Sequence, residues 1–113
     1  MITVADVRRV TADLPRSYEA LIQDRIKFKV GRIVYVAFSR DEETVGFGFP
    51  KEERQAMVDT RPDVFLLPRP AHMRYQWIEA RCAALDPTEL EDLVLDAWRM
   101  CVPKSVAAAH LGE

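Results

Sequence analysis

The chain is short of the residues that most often carry chemistry. Its 113 residues include only two histidines, two cysteines and four glycines, and there is no surplus of positive charge: 16 Lys and Arg stand against 18 Asp and Glu, a net charge of −2. Each shortage excludes something. The glycines spell neither a G-x-G-x-x-G fingerprint nor a phosphate-cradling P-loop, and Gly46-Phe47-Gly48 is too short and runs into Pro50. Cys82 and Cys101 lack the C-x-x-C spacing of a redox or zinc site; each sits beside an apolar residue, Ala83 or Val102, which suits a small buried thiol. His72 and His110 are isolated, and no carboxylate or cysteine stands at metal-ligand spacing around His72. The acids at Asp41–Glu43, at Glu52-Glu53 and near the C-terminus lack the Asp/Asn ladder and glycine of a calcium loop. No serine has an obvious histidine and acid beside it. The expectation is a protein with no catalytic residue, no metal site and no cofactor. The longest apolar run, Ile33–Phe38, is far short of the roughly 18 residues of a membrane helix. The opening Met-Ile-Thr-Val-Ala-Asp does not read as a secretory leader. No membrane partner is expected, and a cytoplasmic location is.

What is present is a core and a patterned chain. With 49% hydrophobic residues, a chain of this length can bury a core without staples, so 1–113 reads as one domain. Thr3 and Asp6 form a variant capping box for a helix over residues 4–14, with Val4, Val7, Val10 and Leu14 on one stripe and Pro15 as its stop. Strand-like segments follow. Ser17–Gln23 comes first, then a corner at Asp24-Arg25. Ile26, Phe28 and Val30 alternate with Lys27 and Lys29, Gly31-Arg32 makes a two-residue link, and Ile33–Ser39 reads as a central strand. After a polar turn, Thr44–Phe49 alternates again. Lys51–Asp59 predicts a short helix, Val64–Leu67 a brief strand, Pro68–Arg74 a loop and Tyr75–Ala83 another strand. Asp86-Pro87-Thr88-Glu89 caps the clearest helix, with Leu90, Leu93, Val94, Ala97 and Cys101 as its stripe, flanked by Trp98. Pro103 ends it, and Lys104–Leu111 adds one or two turns in which His110 is expected to be solvated. Hairpin-length links demand antiparallel pairing. The predicted fold is therefore α+β, a two-layer sandwich of a mainly antiparallel sheet with helices on one face, in the order α-β-β-β(-β)-α-β-β-α.

Charge is polarised along this order. Residues 1–40 carry +4, 41–63 carry −4, 64–85 carry +2 and 86–113 carry −4. The positive segments are chiefly strands and the Pro-rich loop; the negative ones are largely helices. Period-two alternation sharpens the picture. If Ile26, Phe28 and Val30 face the helices, then Arg25, Lys27 and Lys29 face away. If Ile78, Ala80 and Cys82 face inward, then Tyr75, Trp77 and Arg81 point out, and Gly46 and Gly48 leave a bare outer patch. Cations neutralise phosphates and aromatic rings stack on bases, so such a face suits nucleic acid. The same residues equally suit a solvated face, or one covered by a loop or a second copy.

The helix ending at Leu14-Pro15, then Phe28-Lys29-Val30-Gly31-Arg32 leading into Ile33–Phe38, resembles the MmcQ/YjbR family. So does the later order of Arg61-Pro62-Asp63-Val64-Phe65, a Pro-rich loop, the Trp77-Ile78 strand and the Asp86-capped helix. The likeness runs from about Thr3 to Leu111. It implies a bacterial protein with a two-layer fold likened to secretion chaperones and to CyaY, and DNA binding by a double-wing arrangement without catalytic residues. The hairpin at Gly31-Arg32 matches one wing, and Pro68–Arg74 borders the second. The first helix, with Arg8 and Arg9 against Asp6 and Asp13, lacks the acidity that CyaY-like iron binding uses. The expected contacts to nucleic acid are Arg25, Lys27, Lys29, Arg32, Arg69, Arg74 and Arg81 on phosphates, with Tyr75 and Trp77 on sugar or base. The net charge keeps that binding weak and non-specific. The alternative is a protein-interaction or dimerisation module docking a partner or a second copy. A weaker one is a small-ligand site between the His72 loop and the sheet.

Overall fold

The computed structural model describes residues 1–112. Among them the order is α1 (Val4–Thr11), β1 (Ser17–Ile22), β2 (Arg25–Val30), β3 (Ile33–Phe38), β4 (Thr44–Gly48), α2 (Lys51–Thr60), β5 (Phe65–Leu66), a short 3-10 turn at Pro70–His72, β6 (Trp77–Arg81), α3 (Pro87–Arg99) and α4 (Lys104–Leu111). The six strands form one sheet in the order β1-β2-β3-β4-β6-β5, with every neighbouring pair antiparallel. The fold is an α+β two-layer sandwich, as the pattern predicts. None of the described helices is long and apolar enough to cross a membrane.

Local chemistry sets most element ends. The Thr3 hydroxyl accepts from the Asp6 N–H, and the Asp6 carboxylate accepts from the Thr3 N–H at 2.8 Å, closing the capping box. This helix stops at Thr11, a turn earlier than Pro15 alone would require, because the Leu14 N–H turns back to the Thr11 carbonyl at 3.0 Å. Leu14 stays buried all the same. The first hairpin turns on Gln23 and Asp24, at φ +53° and +63°. Two successive left-handed residues match the twist of the flanking strands, so the turn falls there and Arg25 is the first residue of β2, not part of a corner.

The next hairpin carries a bulge. Phe28 lies opposite Val36, but Lys29 lies opposite Val34, which leaves Tyr35 as an extra residue in β3. Tyr35 is fully buried and its hydroxyl bonds the Ser17 hydroxyl. Burial pushes the Tyr35 phenol above its ordinary pKa.

The core lies between the sheet and the layer formed by α1 and α3. Phe28, Phe38, Phe47, Phe65 and Ile78 meet Leu90, Val94, Ala97 and Trp98 there. Each such buried side chain contributes about 1.5–3 kcal/mol. Trp98 belongs to the centre of the α3 stripe, not to its flank: it is fully buried, and its indole N–H donates to the Pro15 carbonyl at 2.9 Å. Cys101 is only partly buried and follows the helix end. Asp86 occupies the N-cap position of α3, yet its side chain makes no capping hydrogen bond; Pro87 at the first position brings no N–H to satisfy and presets φ for the helix. His110 is exposed, but its ring packs edge-on against Trp98 at 5.4 Å between centroids, so it is not the purely solvated residue expected.

Candidate nucleic-acid interface

The face of the sheet turned away from α1 and α3 follows from the register. Ala20, Lys27, Ala37, Gly46 and Glu79 stand side by side across β1, β2, β3, β4 and β6. Ala37 and Gly46 are small, so the middle of this row is low. Trp77 pairs with Gly48, and its indole lies across Gly46: a Cβ at Gly46 would stand 2.5 Å from the ring. Gly48 behaves differently, since a Cβ there would lie 3.6 Å from the Ala97 Cβ of α3. The two glycines therefore do not leave the bare outer patch expected of them. One seats a tryptophan and the other lies against a helix.

Around this low floor runs a cleft of about 630 Å3. Arg25 and Lys27 of β2 and Arg32 and Ile33 of the β2–β3 hairpin form one side. Arg69, His72 and Tyr75 of the Pro-rich segment, with Trp77 and Glu79 of β6, form the other. Six of the nine residues expected to touch nucleic acid thus share one cleft: Arg25, Lys27, Arg32, Arg69, Tyr75 and Trp77. The two segments likened to wings both reach its rim.

The other three lie elsewhere. Lys29 extends over the Tyr18 ring of β1, 5.9 Å from its centroid. Arg74 stacks on Tyr75 at 4.9 Å and donates to its hydroxyl at 2.8 Å. Arg81 donates to the Pro62 carbonyl at 2.8 Å, which holds it beside the start of β5. Tyr75 is not in a strand, because β6 begins at Trp77; period-two alternation does not place it. It sits in the turn before β6, with its N–H bonded to the His72 carbonyl, and is 49% exposed.

The residue that sequence reasoning missed is Arg54. It lies in α2, is only 5% exposed, and donates to the carbonyls of Met73, Tyr75 (2.8 Å) and Trp77 (3.3 Å). One guanidinium therefore holds the backbone on which both cleft aromatics are mounted. The signal was present in the helical period: Arg54 shares its face with Met57 and Val58, which pack on the core.

The electrostatics of the cleft are one-sided. Among the described residues, Lys27, Arg32 and Arg69 make no ion pair or hydrogen bond, and Arg25 donates only to the Phe38 carbonyl at 3.0 Å. Burial, and then the nearby charges of Arg25 and Lys29, hold the Lys27 ammonium below the usual lysine pKa. The ion pairs Arg8–Glu19, Arg9–Asp6 and Arg61–Glu89 all involve helices or their ends. Glu79 is the one carboxylate among the residues lining the cleft. No described group of three His, Cys, Asp or Glu could hold a metal ion.

These features define a class: a small α+β sandwich that leaves one sheet face open and lines it with cations and aromatics. A model of the YjbR family matches residues 9–100, and the chain belongs to that family. The structure is similar to the crystal structure of the Deinococcus radiodurans protein DR2400, which carries a DUF419 domain. The TM-score is 0.78, over 99% of this chain and 89% of that one, at 19% sequence identity; at that identity the likeness shows the fold. No curated protein matches the chain.

Proposed function

We propose that this protein acts by binding and not by catalysis, and that it binds nucleic acid weakly and with little sequence preference through the open sheet face. The observation that carries the reading is the convergence of Lys27, Arg32 and Arg69, whose side chains have no partner among the described residues, on one cleft that also holds Tyr75 and Trp77. A polyanion supplies the counter-charge these groups lack, and its sugars and bases give the rings something to pack on. The chain's net charge of −2 keeps affinity low.

The test is a salt series with a labelled DNA, on wild type, Lys27→Glu and the double variant Arg32→Glu/Arg69→Glu. Each phosphate contact contributes about −0.9 to the slope of log affinity against log salt on duplex DNA, and about −0.7 on a single strand. The double variant should therefore flatten the slope by about 1.8 on a duplex and about 1.4 on a single strand. Binding that ignores salt, or that all variants retain unchanged, defeats the reading.

A second reading rests chiefly on the β1 edge. Tyr18, Leu21 and Ile33 are large apolar side chains left exposed on β1 and at the start of β3, and β1 is a free sheet edge. A protein partner or a second copy pairing along β1 would cover Tyr18 and Leu21. A dimer by light scattering that Leu21→Asp dissolves would favour this over nucleic acid.

A further inference from the structure

We infer that the cleft takes single-stranded nucleic acid in preference to a duplex, seating one unstacked nucleotide with its phosphate at Lys27 and its base between Trp77 and Glu79. The inference rests on the nucleic-acid reading and names the form of the ligand. Its first ground is shape. Trp77 is half-buried and lies across Gly46, on the low part of the sheet between the hairpin at Arg32 and the loop at Arg69. A duplex keeps its bases paired and stacked and turns only phosphates and groove edges outward, so a recessed ring touches none of its bases. A strand with a free base can reach that ring.

The second ground is the position of the acid. Glu79 stands in the same row as Lys27, separated from it by Ala37 and Gly46. Three strand spacings put their backbones about 14 Å apart. A carboxylate in a cleft built for phosphates opposes a dense phosphate array. It suits a lone base edge instead, because it accepts from the exocyclic amino group of cytosine. Across this row a nucleotide finds a cation at its phosphate end and an acceptor at its base end. Thymine has no exocyclic amine to offer.

The tryptophans make the experiment direct. Trp98 is fully buried, so a change in emission on adding DNA reports Trp77. Titrations at low salt would use 12-nucleotide oligo(dC), oligo(dT) and a mixed-sequence 12-base-pair duplex. The expected result is quenching and at least tenfold tighter binding of oligo(dC) than of the duplex, with oligo(dT) about fivefold weaker than oligo(dC). Glu79→Gln should erase the difference between the two homopolymers. Gly46→Ala forces the indole off its seat and should weaken oligo(dC) tenfold while leaving duplex binding within twofold. Trp77→Leu, read by the anisotropy of end-labelled oligonucleotides in place of tryptophan emission, should do the same should the glycine variant fail to fold. A duplex bound as tightly as oligo(dC), with Trp77 unquenched and affinity still lost in Lys27→Glu, overturns this inference and leaves the nucleic-acid reading standing. No binding of any of the three overturns both.

Discussion

Replacing Arg54 by alanine should loosen the cleft and the fold together. Arg54 is 5% exposed and its guanidinium serves three carbonyls, those of Met73, Tyr75 and Trp77. Each hydrogen bond from a charged donor contributes about 1.5–3 kcal/mol, and a carbonyl left buried without a donor costs about 1–3 kcal/mol. The three do not add fully. The Tyr75 end of the segment is half-open, so water replaces part of what is lost. A net cost of about 3 kcal/mol is the reasoned figure, a large fraction of the roughly 5–15 kcal/mol that holds such a domain together. At about 4 °C per kcal/mol for a chain of this size, Tm should fall by about 12 °C. Arg54→Lys keeps the charge but not the planar fork, so it should recover less than half of that loss. Thermal unfolding followed by far-UV circular dichroism gives the first number. The emission of Trp77 below Tm, red-shifted as its mounting loosens, gives the second. An Arg54→Ala protein that melts within 3 °C of wild type, with unchanged emission, would refute the claim that this arginine holds the Met73–Trp77 backbone.

Three further outcomes follow from the packing. Trp98→Phe removes the donor to Pro15 and leaves a void beside Val94; it should cost about 2–4 kcal/mol, read as a lower urea midpoint with an unchanged slope. The Cys82 thiol is buried and pushed up to about 11, first by burial and then by the charges of Glu42 and Asp41. Native protein at pH 8 should leave Cys82 unmodified by iodoacetamide over an hour, as mass spectrometry after digestion will show, whereas urea-unfolded protein should react fully. That raised pKa favours the fold while the unfolded thiol stays protonated, and the benefit is lost as pH rises toward 11. On the acid side, the hydrogen bond from Arg8 holds the Glu19 carboxyl below the usual carboxylate range. Its stabilisation is therefore present above the unfolded pKa and lost as pH falls through the depressed folded value. Both side chains are substantially exposed, so the effect is small: Glu19→Gln should lower the urea midpoint slightly at pH 7 and by less at pH 3.

The parts of the fold that were legible are those written locally. The Thr3–Asp6 box, the stripe from Leu90 to Ala97 and the alternation at Ile26, Phe28 and Val30 each lie within a few residues of one another, and each marks its element. Boundaries moved by up to three residues where geometry overrode pattern. Two left-handed residues moved the first turn to Gln23-Asp24. Tyr75 alternated correctly with Trp77 yet fell outside the strand, because Arg54 and a turn through His72 hold that backbone instead.

The cleft was half-legible for the same reason. Parity put Arg25, Lys27 and Trp77 on the outer face, and the likeness of the hairpin and the Pro-rich loop to wings brought in Arg32 and Arg69. Register is not written in any single segment. That Lys27, Ala37, Gly46 and Glu79 form one row, that Trp77 leans onto Gly46, and that Arg81 is drawn to Pro62 all depend on how four separated strands align. The bulge at Tyr35 adds a shift that no alternation rule anticipates.

The seat of Trp77 on Gly46 ties two positions 31 residues apart into one unit of inheritance. They share a single volume above β4, so position 46 cannot grow while the ring stays in place. A lineage that places alanine or larger at position 46 has to shrink or move the ring at position 77, and one that loses the ring gains freedom at position 46. Substitutions at the pair should therefore be strongly non-additive, each damaging on its own and mild together. As the family diverges, the small-and-large pattern at these two positions should be kept or exchanged as a pair, while their neighbours drift.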